Sequence, residues 1–274
     1  MSFRMRFLIP AYLMLTMLSA PVFAQKIVAH RGASFDAPEN TLAAFKLAWK
    51  MDADAIEGDF YLTADQKIVC IHDKTTKRTA AIERDIASST YEELCSIDVG
   101  SWKSPEFAEE RIATLEQVLE IVPHDKIFLI EIKCGPEIVP VLTKVLNQKI
   151  LPFSQIRIIC FDAEVVAACK KSLPEIKAFW LTSFRQDKST KEWSPSTEEI
   201  LQTLKRIECD GLDAKAEREV VTAGFIERVK QAGYEFHIWT VNDPEDADHF
   251  SKLGVDSITT DRPDLLKRAP VSAE

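Results

Sequence analysis

Glycine is scarce in this chain, with 8 residues among 274, and these glycines are scattered rather than clustered. No glycine-rich loop follows the first apolar segment, which argues against a dinucleotide-binding site. No two cysteines are separated by only two residues, so neither a zinc ribbon nor a thioredoxin-type site is indicated. Apolar residues form 46% and charged residues 28% of the chain, which excludes a collagen, a coiled coil and general disorder.

Long apolar runs are also missing beyond the amino terminus, which excludes a multi-span membrane protein. The first 24 residues combine two arginines, an apolar stretch over 7–18 and the sequence Val22-Phe23-Ala24, in the order typical of a signal peptide. We predict cleavage after Ala24 and export to the periplasm or the cell exterior. The alternative of a retained anchor is disfavoured, because the apolar stretch is shorter than the roughly 20 residues of a spanning helix.

Acidic residues dominate the charge of the predicted mature chain. Its 250 residues carry a formal charge of −11, because the leader contains two arginines and no acidic residue. A surface of that sign repels polyanions, so we expect no nucleic-acid partner and no stable membrane insertion. All 6 cysteines lie in the mature part. Cys70 and Cys160 occur in strand-like apolar runs, where we expect buried thiols rather than a disulfide framework.

Short β-branched runs alternate with amphipathic segments along the mature chain, which is the pattern of parallel β/α units. The eight predicted strands are Lys26–His30, Ala55–Asp59, Ile127–Lys133, Ile156–Phe161, Lys177–Leu181, Asp210–Ala214, Phe236–Val241 and Asp256–Thr260. The predicted helices are Thr41–Lys50, Thr114–Ile121, Pro136–Asn147, Ala163–Ser172, Thr197–Arg206, Ala223–Gln231 and Pro244–Lys252. This alternation over about 250 residues favours a single α/β domain over 25–274, folded as a TIM-type (β/α)8 barrel.

Two segments interrupt the alternation. Residues 60–63 and 68–72 flank a polar turn, which predicts a hairpin after the second strand. The segment 73–113 is polar and rich in charge, and we predict a small insertion over the carboxyl-terminal face of the barrel, anchored by Trp102 and Phe107.

Candidate functional residues follow from the rule that barrel enzymes use side chains at the carboxyl ends of their strands. Glu57 and Asp59 are two residues apart on the second strand and therefore share a face, as do Glu131 and Lys133 on the next one. The register of the seventh strand stays open. If Ile238 points into the barrel, His237 points outward in a structural role, and Trp239 needs a bulge or a different register to face the cavity; otherwise His237 also faces inward.

Three carboxylates converging inside a barrel would repel one another, and burying unpaired charge is costly. A divalent cation would remove that cost, and oxygen ligands favour Ca²⁺ or Mg²⁺ over zinc. Glu57, Asp59 and Glu131 therefore form a candidate site for one such ion.

Two histidines and two basic side chains lie at or near the ends of predicted strands, as the candidate metal ligands do. His30 and His72 can each hold or release a proton near neutral pH, which suits acid–base catalysis on both sides of a bond. Arg31 and Lys133 add fixed positive charge. This combination fits a phosphate diester, whose oxygens need positive charge and whose leaving group needs a proton.

These residues lie in segments that resemble the glycerophosphodiester phosphodiesterases, a family of phospholipase-C-like barrels. The matching segments, in family order, are His30-Arg31-Gly32, Pro38-Glu39-Asn40-Thr41, Glu57-Gly58-Asp59, Leu62-Thr63-Ala64-Asp65, His72-Asp73, Glu131-Ile132-Lys133, Trp239-Thr240-Val241-Asn242-Asp243 and Thr259-Thr260-Asp261-Arg262-Pro263. The resemblance implies that His30 and His72 are an acid–base pair and that the metal ligands are Glu57, Asp59 and Glu131. It also implies that Arg31 and Lys133 contact the phosphate and that Trp239 forms an apolar wall for glycerol.

The resemblance also implies a route. The 2-hydroxyl of glycerol attacks phosphorus, one histidine protonates the leaving alcohol, and water opens the cyclic phosphate to glycerol 3-phosphate. Two alternatives stay open: a phospholipase D-like lyase that stops at the cyclic phosphate, and a non-catalytic phosphodiester-binding protein. A glycosidase fits the paired carboxylates but not Arg31 and Lys133. We expect structural roles for Glu39, Asn40 and His124. Head-group preference and oligomeric state are not indicated by the sequence.

Overall fold

The computed structural model describes residues 25–268, so the predicted signal peptide lies outside the described residues. The strands in this range are β1 (Lys26–Ala29), β2 (Ala55–Leu62), β3 (Ile68–Cys70), β4 (Ile127–Ile132), β5 (Ile156–Cys160), β6 (Lys177–Thr182), β7 (Arg185–Gln186), β8 (Trp193–Ser194), β9 (Gly211–Lys215), β10 (Glu235–Trp239) and β11 (Ser257–Thr260). The helices are α1 (Leu42–Lys50), α2 (Tyr91–Leu94), α3 (Leu115–Glu120), α4 (Val139–Leu146), α5 (Ala163–Ser172), α6 (Thr197–Arg206), α7 (Ala223–Gln231), α8 (Pro244–Lys252) and α9 (Pro263–Arg268).

Eight parallel strands close into a barrel. Their order around the ring is β1, β2, β4, β5, β6, β9, β10 and β11, and β1 pairs with both β2 and β11. The predicted TIM-type barrel and its eight strands are thereby confirmed. Helices α2 and α9 were not among the predicted helices.

Apolar side chains form one layer on each face of the barrel strands. The outer layer packs strands against helices and includes Phe45, Phe128 and Phe236, which are fully buried. The inner layer is smaller and contains Val28, Ala55, Leu129, Ile159, Phe179 and Leu181. Because strand residues alternate between the faces, the polar residues next to the inner layer point into the barrel near its carboxyl-terminal mouth.

The predicted hairpin is present. Strand β3 pairs antiparallel with the end of β2, outside the ring, and the backbone N–H of Ile71 donates to the carbonyl of Asp59 over 2.9 Å. The hairpin therefore returns the chain to the height of Asp59, one residue before His72.

The segment 73–113 has a small core of its own. Aliphatic residues form it, together with two residues of the hairpin: Val69, Ile71, Ile86, Leu94, Ile97, Val99 and Ile112. The expectation that Trp102 anchors this segment was wrong, because its side chain is 43% exposed, while Phe107 is half-buried. Arg78 and Lys103 of the segment bond Glu39 and the carbonyl of Ser34, respectively, so the segment adjoins the loop after β1.

Within residues 25–268, no helix has the length and apolar character needed to cross a membrane. The six cysteines are free thiols, and Cys70, Cys160, Cys169 and Cys209 are buried. Burial raises the pKa of these buried thiols, which keeps them protonated and unreactive.

Gly32 connects β1 to α1 in a conformation that other residues rarely adopt. Its φ is +82°, and a Cβ there would lie 2.6 Å from the backbone carbon of Ala44. We expect Gly32→Ala to lower the free energy of unfolding by about 2–5 kcal/mol, since left-handed backbone and steric overlap both cost energy. Urea unfolding measures this loss. The control Gly254→Ala has φ +83° and open space around it, so it should lose only about 1–2 kcal/mol. Equal losses in the two variants would contradict the steric argument.

Candidate active site

A cavity opens among the carboxyl ends of the barrel strands. Seven of the eight predicted site residues line it, namely His30, Arg31, Glu57, His72, Glu131, Lys133 and Trp239. The eighth, Asp59, is fully buried and contacts Arg31 and Lys133. The structure therefore brings all the predicted site residues into one region.

The three predicted metal ligands form a buried cluster. Glu57, Asp59 and Glu131 each place a carboxylate oxygen within 4.8 Å of the others. Within the described part of the chain, Glu57 Oε1 and Asp59 Oδ1 accept no hydrogen bond, although Lys133 Nζ lies 3.4 Å from the latter. Burial and the neighbouring carboxylates raise the pKa of Glu57 well above its usual value and that of Glu131 to about 7. Two unpartnered oxygens and mutual repulsion in an all-oxygen donor set fit a divalent cation.

Two basic side chains flank the carboxylate cluster. Arg31 Nε lies 3.2 Å from Asp59 Oδ2, and Lys133 Nζ lies 2.6 Å from Glu131 Oε1. Burial by itself would lower the pKa of both basic groups, but the adjacent carboxylates raise it, so both stay charged. The backbone N–H of Arg31 also donates to Glu57 Oε2 over 2.9 Å. Both cations border the cavity and can meet an anionic ligand there.

Each predicted catalytic histidine is held by a carboxylate. His30 Nδ1 lies 2.6 Å from Asp261 Oδ1, and His72 Nδ1 lies 2.6 Å from Asp73 Oδ1. An ionised carboxylate accepts a hydrogen bond from Nδ1–H, which leaves Nε2 of each ring as the atom that can exchange protons in the cavity. Burial lowers the pKa of His72 despite its acidic neighbours.

Asp261 is itself fixed in place. Ser34 Oγ donates to its Oδ1 over 3.0 Å, and Asn242 Nδ2 donates to its Oδ2 over 2.7 Å. Burial would raise the pKa of Asp261, but the hydrogen bond from His30 and these two donors lower it to about 2. Asp261 therefore remains ionised and orients His30 at any ordinary pH.

Glu39 and Asn40 support the site from the loop after β1, in agreement with the structural role expected for them. Asn40 Nδ2 donates to Asp59 Oδ2 over 2.8 Å, and the Asp59 N–H donates to Asn40 Oδ1 over 3.0 Å. Glu39 accepts a hydrogen bond from Arg31 Nη1 over 3.0 Å. Thr41 caps helix α1 by accepting the N–H of Ala44, which anchors this loop.

Sequence reasoning missed Arg78, which joins the insertion to the site. Its Nη1 and Nη2 donate to both oxygens of Glu39, and its Nε donates to Asp73 Oδ2 over 2.7 Å. Arg78 thus links the carboxylate that orients His72 to the carboxylate that holds Arg31. Nothing in the local sequence indicates this role, because its partner Glu39 lies 39 residues away along the chain.

The wall of the cavity formed by β5, β6 and β10 is apolar. Trp239 meets Phe161 edge to face with ring centres 5.5 Å apart, and Leu181 lies beside them in the cavity lining. The open question about β10 is resolved, because His237 and Trp239 both face inward while Ile238 packs in the outer layer. His237 lies deeper in the barrel, with its ring centre 4.3 Å from that of Phe179. His124, outside the cavity, is exposed.

Asp213 of β9 also lines the cavity and was missed from the sequence. Its side chain is 1% exposed, and burial raises its pKa to about 6 even though the charge of His237 lowers it. The alternation of Asp213 with the apolar Leu212 and Ala214 could have placed it inside the barrel, but a lone acid near a strand end is ordinary.

The raised pKa of Asp213 predicts a pH dependence of stability. The unfolded carboxyl has a pKa of roughly 3.9, so between roughly pH 4 and pH 6 the folded protein binds a proton that the unfolded chain releases. The free energy of unfolding should therefore fall as the pH rises through this range, by about 3 kcal/mol from this group. Urea unfolding of the wild type and of Asp213→Asn at a series of pH values measures the difference, and identical profiles would contradict it.

Residues 30–265 match the profile of the Glycerophosphoryl diester phosphodiesterase family. The chain belongs to this family. It is 36% identical over 251 residues to the Bacillus subtilis protein YhdW, covering 88% of this chain and 96% of that protein. It is 34% identical to a Caldanaerobacter subterraneus glycerophosphodiester phosphodiesterase, covering 88% and 95% respectively.

A solved structure also resembles this phosphodiesterase. It is an Oleispira antarctica phosphodiesterase in complex with the product sn-glycerol-3-phosphate, 27% identical, with a TM-score of 0.80. The match covers 91% of this chain and 98% of that one. The predicted family and its enzymatic class are confirmed.

Proposed function

We propose that this phosphodiesterase uses one divalent cation, Ca²⁺ or Mg²⁺, to hydrolyse glycerophosphodiesters to glycerol 3-phosphate and an alcohol. The observation that carries the proposal is the juxtaposition of two carboxylate-held histidines with a buried, under-partnered carboxylate cluster in one cavity. The product bound to the Oleispira antarctica relative is the product expected here, which supports this substrate class.

Charge and shape assign roles to the basic side chains, the carboxylates and Trp239. Arg31 and Lys133 contact the non-bridging phosphate oxygens and offset their negative charge. Glu57, Asp59 and Glu131 would hold the cation, which would supply positive charge next to the phosphate. Trp239 packs against the carbon atoms of glycerol. These groups leave proton transfer to the histidines.

The histidines act in two steps. In the first, one histidine Nε2 removes the proton of the glycerol 2-hydroxyl as its oxygen bonds to phosphorus, and the other protonates the oxygen of the leaving alcohol. In the second, the roles reverse, because water must lose a proton as it opens the cyclic phosphate and the 2-oxygen must regain one. Asp261 and Asp73 keep both rings in the orientation that this exchange needs.

The position and charge of the cavity favour a small diester over a polymer. The cavity lies inside the mouth of the barrel, among the ends of its strands, where one small phosphodiester can enter. The formal net charge of the whole chain is −9, which repels nucleic acids, while Arg31 and Lys133 keep the cavity mouth favourable for one phosphate.

A coupled assay tests the proposed reaction. The purified chain is incubated with glycerophosphocholine or glycerophosphoethanolamine, and glycerol 3-phosphate is detected by glycerol-3-phosphate dehydrogenase. We expect product with Ca²⁺ or Mg²⁺ present, no product after chelation, and recovery when the cation is restored. Absence of product with several head groups and both ions would overturn the proposal.

The amino-terminal segment supports export as part of the same proposal. Its basic residues, apolar stretch and Val22-Phe23-Ala24 site match a cleaved signal peptide. Fractionation of expressing cells and amino-terminal sequencing should find a mature form outside the cytoplasm that begins at Gln25. An uncleaved chain retained in the cytoplasm would contradict export.

A further inference from the structure

Asp213 faces the carboxylate cluster from the far side of the barrel. Four steps around the ring of eight strands separate β9 from β2, so Asp213 lies across the cavity from Glu57. It is almost fully buried, and no group within residues 25–268 donates a hydrogen bond to its Oδ1. A buried carboxyl oxygen without a donor is costly, and its position in the cavity lining lets a ligand supply the donor.

None of the described residues next to Asp213 donates a hydrogen bond to its carboxyl Oδ1. His237 is the adjacent residue on β10, but its Nδ1 bonds Ser257 Oγ over 2.8 Å. Its Nε2 lies 3.3 Å from Glu235 Oε2, at ion-pair distance although not aligned as a hydrogen bond. Both ring nitrogens thus face other partners. Trp239 Nε1 donates to the backbone carbonyl of Asp213 and leaves the carboxyl group free.

The surroundings of this carboxyl group define the ligand chemistry. Leu181, Phe161 and Trp239 form an apolar wall next to Asp213. A short polyol matches this arrangement, because its C–H faces pack on apolar side chains while a hydroxyl donates to a carboxylate. Asp213 itself is 1% exposed, so its end of the cavity suits a small group of constant size, such as glycerol, whereas a variable head group needs the open mouth.

We propose that Asp213 is a specificity residue that accepts a hydrogen bond from the terminal hydroxyl of the substrate's glycerol. This inference rests on the proposed function, in which the 2-hydroxyl must stay beside phosphorus and the histidines, so only the terminal hydroxyl can reach across the cavity. Asp213 thereby distinguishes glycerol from three-carbon alcohols that lack this hydroxyl.

A matched pair of substrates tests the assignment. The first is glycerophosphoethanolamine, and the second carries propane-1,2-diol in place of glycerol, with the same configuration, so it keeps the reacting 2-hydroxyl. We expect the wild type to favour the first in kcat/KM by about 10- to 100-fold, the range for a hydrogen bond to a charged group. Asp213→Ala should remove this preference by slowing only the glycerol substrate. Asp213→Asn, which keeps an acceptor oxygen, should retain part of it.

His237→Gln is the control, since it alters the barrel interior below the cavity and should keep the wild-type preference. Equal losses on both substrates in Asp213→Ala would assign Asp213 a structural role and overturn the inference. A wild type that hydrolyses both substrates equally would overturn it while leaving the proposed function intact, even if the variants failed to fold. A wild type that hydrolyses neither would overturn the proposed function and this inference with it.

Discussion

Replacing His30 or His72 with alanine is expected to lower kcat at least about a hundredfold, because a positioned general acid or base contributes roughly that much or more. Each ring is held at Nδ1 by its own aspartate, so neither histidine can take over the position of the other. With only one acid–base group, either the attacking hydroxyl or the leaving alcohol lacks its proton partner.

The two substitutions should lower kcat without unfolding the protein. His30 and His72 line the cavity and belong to none of the apolar clusters of the barrel, so both variants should stay folded at the assay temperature, which circular dichroism checks. His124→Ala is the matched control, because His124 is exposed and lies outside the cavity. Near-normal turnover in either His30→Ala or His72→Ala would count directly against the acid–base pair.

Removing the divalent cation is expected to abolish turnover, and neutralising one of its ligands should raise the cation concentration needed to restore it. We expect Glu131→Gln to increase the concentration for half-maximal activity by at least about tenfold, because an amide oxygen replaces a charged ligand. Activity against cation concentration, together with calorimetric titration of Ca²⁺ or Mg²⁺, measures this increase.

Thermal stability measured with and without the cation should detect the same metal site without an activity assay. Without a divalent cation, Glu57→Gln should be more stable than the wild type, because it removes one of three mutually repelling buried carboxylates. With the cation at saturating concentration the order should reverse, since the wild type binds the ion more tightly. Glu120→Gln, on the exposed face of α3, is the control and should respond to the cation like the wild type. Equal thermal shifts in Glu57→Gln and the wild type would remove Glu57 from the metal site.

Strand alternation explains why much of the site could be predicted from sequence. Glu57 and Asp59 share the inner face of β2, and Glu131 and Lys133 follow the same rule at the end of β4. Parallel strands of a closed barrel bring these ends together, so a period of two and a strand count suffice to place them.

Other parts of the site depend on contacts that no local pattern encodes. Arg78 reaches Glu39 from a loop 39 residues away along the chain, and Asp261 reaches His30 across 231 residues. The insertion also uses scattered aliphatic residues as its core instead of Trp102, because large aromatic rings can lie on a surface when smaller side chains already fill the interior. Such partners emerge only from the folded arrangement.

Phosphorus NMR of a single reaction tests the central claim most directly. Glycerophosphoethanolamine is mixed with the enzyme and a divalent cation, and the phosphorus signals are followed over time. We expect the diester signal to decay, a cyclic phosphate to form and be consumed, and glycerol 3-phosphate to accumulate as the final product only when the cation is present. A cyclic phosphate that persists as the end product would identify a lyase, and an unchanged diester signal would contradict catalysis by this site altogether.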